Sequence, residues 1–526
     1  MTVLNWDQPY PSSRSPVCAA NLVATSQPLA TQAGLEALRQ GGNAVDAALA
    51  AAITLTVVEP NNNGLGSDAF CLLWDGAGLV GLNASGRAPL GWSLERFRGP
   101  HMPQLGWDAV TVPGAVSAWV ALSERYGALA FPALFEAGIH YAENGFQVGP
   151  KSAYYWQLAE RRYAAFPEFV RHFLPAPEPG ARFRRPELAQ SLRLVAQSRG
   201  EAFYRGELAQ QIARAARIDG GALTLTDLAE HQADWVAPIT QPYRQVALHE
   251  IPPNGQGLAA QIALGILRHL DVAPVDSADS VHRQLEAMKL AIRAAFDHFA
   301  DPRAMRLAPE ALLAPGMLEQ LAAAIGEQAS AVPPARLPVS EDTVYLAAAD
   351  QNGMMVSFIQ SNYQGFGSGI VVPGTGIAMQ NRGHGFSLDP AHPNCVAPGK
   401  RPFHTIIPGF VSDAAESGGA PRMAFGVMGG HMQHQGHVQM VQRVFDHGQN
   451  PQAASDAPRW HIYEDYSIGV EGGFPPSVTA ELAARGHRIR HEPAEHVFGG
   501  AQLILRTEHG YVGGSDHRKE GQVSGF

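Results

Sequence analysis

The chain has 526 residues, a formal net charge of −10, 45 % hydrophobic residues and 16 % charged residues, which excludes a disordered chain and, with no basic block, gives nucleic acid no footing as a partner. Cys18, Cys71 and Cys395 are too few and too scattered for a disulfide framework or a zinc knuckle, and they fit a reducing compartment. Residues 1–16 lack the basic-then-apolar pattern of a secretory signal, and no apolar run reaches the ~20 residues of a membrane span, so the expectation is a cytoplasmic protein without a membrane partner.

Thr31 to Gln40 has helical spacing, Gly41-Gly42 breaks it, and Asn43 caps a second, Ala-rich helix reaching about Val57. That second segment is apolar nearly all round and is expected to be buried. Asn61 to Gly66 reads as a turn, followed by strands near 69–74 and 78–83, and a helix opens at Pro113-Gly114. Residues 132–230 read as mostly helical with solvated charged faces, and 277–301 as an amphipathic helix. After residue 343 the pattern turns to strands, then a helix over about 435–448, then strands near 502–506 and 511–513. Length alone would divide the chain into two or three domains. The mixture lacks regular βαβ alternation, which argues against a parallel doubly wound sheet.

The stretch that organises the rest is Ser340-Glu341-Asp342-Thr343-Val344-Tyr345. Behind it, Leu346 to Ala349 and Met354 to Ile359 are apolar runs joined by Asp350-Gln351-Asn352-Gly353, a strand, tight turn and strand. Ahead of it, Pro333, Pro334 and Pro338 make 331–338 an exposed loop that cannot pair into a sheet. A Pro-rich loop running straight into a buried strand makes sense if the chain is cut between Asp342 and Thr343. The cut would give Thr343 a free α-amino group, with a pKa of about 7.7–8.0, beside its own hydroxyl. Nucleophile and base then sit on one residue.

Further on stand Phe366-Gly367-Ser368-Gly369-Ile370-Val371-Val372-Pro373-Gly374-Thr375-Gly376, Lys400-Arg401-Pro402 and Met428-Gly429-Gly430, with Gly41-Gly42-Asn43-Ala44-Val45-Asp46 near the start. In this order the motifs resemble the γ-glutamyltranspeptidase family of self-cleaving N-terminal-nucleophile hydrolases, over about Val23 to Gly525. The resemblance implies an α+β fold, a four-layer αββα sandwich in one interlocked domain. It also implies a large subunit of residues 1–342 and a small subunit of 343–526 that begins with the nucleophile Thr343. The two products form a heterodimer, with a dimer of heterodimers left open, and no cofactor or metal is implied. Ser361 falls where a family Thr supports the nucleophile, and a Ser hydroxyl makes the same hydrogen bond. Gly429 and Gly430 fall on the oxyanion hole, where two backbone N–H groups must converge without side chains in the way.

At the substrate-binding positions the chain departs from the transpeptidases. The family's acidic pair falls on His384 and Gly385, an amide position has become Arg382, and a family Asn has become Tyr363. The Ser pair after Lys-Arg-Pro is His404-Thr405, and Arg87 stands nearer the following Pro than the family Arg does. Acceptors for an ammonium are gone and donors for a carboxylate have accumulated. The expected substrate is a small anionic amide without an α-amino group, bound by Arg87, Tyr363, Arg382, His404 and Thr405. Gln380-Asn381-Arg382-Gly383 and Phe403-His404-Thr405 resemble the oxamate amidohydrolase branch, which implies oxamate to oxalate and ammonia. The alternative is hydrolysis or transfer from γ-glutamyl donors. His431, His434 and His437 recur every third residue; on a helix this spacing drifts round the axis, so capping and packing are expected of them rather than zinc binding. Gly514 to Arg518 reads as structural.

Overall fold

The computed structural model describes residues 6, 13–331, 343–415 and 419–526. The Pro-rich stretch after Ala331, expected as an exposed loop, and the expected cleavage-site residue Asp342 lie outside the described residues.

Two antiparallel seven-stranded sheets form the frame. In chain order their strands are β1 (Val17–Ala19), β2 (Leu22–Thr25), β3 (Asp68–Trp74), β4 (Leu79–Asn83), β5 (Asp234–Val236), β6 (Ile239–Tyr243) and β7 (Val246–Glu250). These are followed by β8 (Val344–Ala349), β9 (Met355–Ser361), β10 (Gly409–Asp413), β11 (Pro421–Met428), β12 (Gly500–Thr507), β13 (Gly510–Ser515) and β14 (Gln522–Gly525). One sheet runs β1-β13-β12-β11-β10-β7-β6 and the other β14-β2-β8-β9-β3-β4-β5. The helices that cover them are α1 (Pro28–Arg39), α2 (Ala44–Val58), α3 (Ala115–Tyr126), α4 (Gly257–Leu267), α5 (Ala278–Phe296) and α6 (Met432–Phe445), with further helices between 136 and 229.

Side-chain alternation along β8 shows how the layers stack. Val344, Leu346 and Ala348 join the core beneath α1, α2 and α3, whereas Tyr345, Ala347 and Ala349 join the core between the sheets. On the far side, Val411, Met423, Phe425 and Leu503 pack under α4, α5 and α6. The order is therefore helices, sheet, sheet, helices, the αββα sandwich that the sequence resemblance implies. The division of strands and helices follows the sequence reading, with boundaries moved by a few residues. Asn43 Oδ1 accepts from the N–H groups of Val45 at 3.0 Å and Asp46 at 3.1 Å, and Asp46 Oδ2 accepts from Asn43 N–H at 2.9 Å, so the α2 cap is a reciprocal box. All fifteen residues of α2 are buried. No helix among the described residues is long and apolar enough to cross a membrane.

Candidate active site

Thr343 stands at the head of β8, and the hairpin places it. In the β8–β9 ladder Val344 faces Gln360, so Thr343 comes opposite Ser361; in the β9–β3 ladder Ser361 faces Asp68. Residues opposite one another in antiparallel strands share a face. By parity with Tyr345, Ile359 and Phe70, that face is the one between the sheets. Thr343, Ser361 and Asp68 thus form a row across three strands, exposed by no more than 1 %.

The Thr343 hydroxyl donates to Ser361 Oγ at 3.2 Å. The same Ser361 oxygen accepts the Tyr363 N–H at 2.8 Å. That second bond requires a sharp turn, and Tyr363 adopts φ +81°, a region costly for a residue with a bulky side chain. The Tyr363 ring lies beneath the Arg382 guanidinium, 4.2 Å from its carbon. The turn therefore serves two purposes, fixing Ser361 and presenting an aromatic face to a cation.

Arg382 is fully buried, and burial lowers its pKa to about 10. Its Nη1 donates to Thr405 Oγ1 at 2.7 Å, while Nε and Nη2 have no partner among the described residues. Two buried donors on one edge of a guanidinium form a fork matched to a carboxylate. Asp68 stands in the same cluster. Its Oδ1 accepts the N–H groups of Gly86 and Gly114, both at 3.1 Å, and its Oδ2 lies 3.1 Å from His404 Nε2. Burial pushes the Asp68 carboxyl up to about 7, against the pull of Arg382 and the two backbone donors. Burial holds the His404 imidazole well below its usual range, and Arg382 and Arg401 add repulsion. His404 is accordingly neutral: Nε2–H donates to Asp68, and Nδ1 accepts the Ile406 N–H at 3.4 Å.

Gly429 and Gly430 connect β11 to α6, at φ +121° and +56°. A Cβ on Gly429 would come within 2.8 Å of Gly499 Cα, so the position requires glycine. Their carbonyls accept from Met432 N–H at 2.9 Å and Gln433 N–H at 3.3 Å and so face into the first turn of α6. The planar peptide between them therefore turns the Gly430 N–H the opposite way. Neither glycine N–H has an acceptor among the described residues. Together with the positive end of α6, this is a donor set suited to an oxyanion.

Thr343, Ser361, Tyr363, Arg382 and Thr405 are thus linked as the sequence reading groups them. His404 lies beside Thr405, but both its ring nitrogens are engaged by the protein. Arg87 belongs to another cluster: its guanidinium reaches Asp301 at 3.2 Å and Asp234 at 3.6 Å, next to Arg303 and Arg401. The three histidines of α6 part company. His431 and His434 both reach Gln256 Oε1, at 3.1 and 3.0 Å, whereas His437 pairs with Glu250 at 2.6 Å. A separate buried trio, His282, Glu286 and His487, has metal-like spacing. There the Lys289 ammonium already sits on Glu286 as the cation, and the two imidazoles hydrogen-bond each other at 2.9 Å.

Sequence reasoning missed Asp68 and Gln256. Each carried a signal: an acid at the entry of an otherwise apolar strand, and an amide in Pro252-Pro253-Asn254-Gly255-Gln256 just before a helix that is apolar but for Gln261.

A model of the family described as Gamma-glutamyltranspeptidase matches residues 30–526. The chain is 37 % identical to the oxamate amidohydrolase proenzyme of Klebsiella pneumoniae, covering 95 % of this chain and 97 % of the relative. It is 35 % identical to the glutathione hydrolase-like YwrD proenzyme of Bacillus subtilis, covering 98 % of this chain and all of the relative. Among solved structures, cephalosporin acylase from Bacillus halodurans superposes with a TM-score of 0.95 at 46 % identity, over 100 % of this chain and 99 % of that one.

Proposed function

Since the chain belongs to the gamma-glutamyltranspeptidase family, we propose that it is a self-processing amidohydrolase for a small amide bearing a carboxylate, with oxamate as the specific substrate. In maturation the Thr343 hydroxyl attacks the carbonyl of Asp342 and displaces the Thr343 nitrogen, giving an ester. Water cleaves that ester, leaving Asp342 as a new carboxylate and Thr343 with a free amine. In turnover the amine takes the hydroxyl proton as the oxygen attacks the substrate amide. The N–H groups of Gly429 and Gly430 hold the oxyanion, ammonia leaves with the proton, and water then frees the acid from Thr343. Ser361 keeps the hydroxyl directed, and the two cleavage products remain together as a heterodimer.

The observation that carries the substrate assignment is the buried Arg382, whose Nε and Nη2 have no partner among the described residues, hydrogen-bonded to Thr405 and stacked on Tyr363. No carboxylate at His384 or Gly385 offers to hold a substrate ammonium. Arg87, committed to Asp301 and Asp234, is left out of the pocket in this reading. A second reading, hydrolysis of a bulkier amide, is favoured by the 46 % identity with the protein named cephalosporin acylase. Turnover of oxamate, an N-acyl cephalosporin and a γ-glutamyl anilide separates the possibilities. Ammonia release from oxamate is expected. Release from the anilide alone refutes the assignment, and release from the cephalosporin alone replaces it with the second reading.

A further inference from the structure

We propose that Gln256 is a positioning residue that couples capture of a carboxylate at Arg382 to alignment of the oxyanion donors at Gly429 and Gly430. This rests on the roles given above to Arg382 and the glycine pair.

Gln256 is fully buried at the start of α4. Its Nε2 donates to two carbonyls, Thr405 O at 2.6 Å and Gly430 O at 2.8 Å. Its Oε1 receives the Nδ1 groups of His431 and His434. The chemistry orients this amide: turned over, its oxygen would face two carbonyl oxygens. Thr405 is held from both ends, its hydroxyl by Arg382 and its carbonyl by Gln256. Three consecutive buried hydrogen bonds therefore run from Arg382 through Thr405 and Gln256 to Gly430.

Gly430 needs such a tether. At φ +56° it has the widest backbone freedom of any residue, and the bond to its carbonyl from Gln433, at 3.3 Å, is long. Oxyanion donors act only when held within a fraction of an ångström of the productive geometry. A carboxylate docking on Nε and Nη2 draws the guanidinium and, with it, the Thr405 hydroxyl. Gln256 shares one NH₂ group between that loop and the glycine loop, so tightening one side tightens the other. Part of the carboxylate's binding energy then appears in kcat rather than only in KM.

Oxamate and oxamide test this, because they are nearly isosteric and only oxamate carries the charge. In the wild-type enzyme the carboxylate is expected to improve KM and also to raise kcat by about tenfold, within the usual range of coupling between sites. Gln256→Glu retains acceptors for His431 and His434 and removes both donors. It is expected to bring the two kcat values within about threefold while the KM preference for oxamate persists, the non-additivity that a thermodynamic cycle measures. Thr405→Val cuts the same relay at the hydroxyl and leaves the Gln256 bonds in place; it is expected to give the same collapse, and it decides the matter should Gln256→Glu fail to mature. An unchanged kcat ratio in these variants, with oxamate still preferred in KM, overturns the coupling. A wild-type enzyme that binds oxamate and oxamide alike overturns the Arg382 reading, and the coupling with it.

Discussion

Replacing Arg382 with Met separates a binding role from a structural one, because a binding role leaves stability nearly unchanged and a structural one lowers it. The side chain is fully buried and forms no ion pair within 4 Å among the described residues. For stability, its loss removes one charge-assisted hydrogen bond to Thr405, worth about 1.5–3 kcal/mol, and a desolvated cation–π contact on Tyr363 worth about 2 kcal/mol. Against that, it relieves the desolvation of a buried guanidinium whose Nε and Nη2 are unpaired among the described residues, several kcal/mol in the opposite direction. The terms nearly cancel, and the melting temperature is expected to stay within a few degrees of wild type. For catalysis nothing cancels. Two charge-assisted bonds to the substrate carboxylate amount to about 3–6 kcal/mol, a loss of roughly 100- to 20,000-fold in kcat/KM at 1.4 kcal/mol per factor of ten. Turnover of oxamide should fall only a few-fold. Arg382→Lys should recover part of the loss as a point charge without the fork. Ammonia release under steady-state conditions and a thermal melt suffice for the measurement. A strongly lowered melting temperature, with equal losses on oxamate and oxamide, would show that Arg382 supports the fold and not the substrate.

Thr343→Ala is expected to leave a single full-length band on a denaturing gel and no turnover, whereas Thr343→Ser should still divide into two chains, more slowly; maturation of the alanine variant would contradict the nucleophile assignment. Ser361→Ala removes the acceptor of both the Thr343 hydroxyl and the Tyr363 N–H, at about 1–3 kcal/mol, so kcat should fall roughly tenfold to a hundredfold with KM little changed. For Asp68 the folded-state pKa, about 7, lies above the ordinary carboxyl value of 3.8, so the folded protein binds the extra proton between those values. The stability from this group is present below about pH 4 and is lost as pH rises through 7. Unfolding free energies at pH 5 and pH 8 should therefore differ less in Asp68→Asn than in wild type, and an equal difference in both proteins would contradict the buried, raised carboxyl.

Local pattern made much of this molecule legible. The Asn43 cap and the nearly all-round apolar α2 follow from side-chain chemistry within a few residues. The hairpin behind Thr343 is likewise a local matter, with Gly353 at φ +92° in its turn. The glycine pair after an apolar strand is, from local pattern, only a turn; it was the resemblance to the family that implied an oxyanion role for it. Alternation along β8 and β9 also tells which residues share a face. It does not tell which strand lies opposite, and that gap marks where the sequence stopped.

Only the tertiary structure set Asp68 opposite Ser361, through the register of two strands far apart in the chain. Only the structure sent Arg87 to Asp301 and Asp234, occupied both ring nitrogens of His404, and left Arg382 with open donors. Gln256, missed in the sequence, became the junction of three loops. The physical reason is common to all of them. A buried donor or acceptor must find a partner, and the partner is whichever group folding brings within about 3 Å, not the one nearest along the chain.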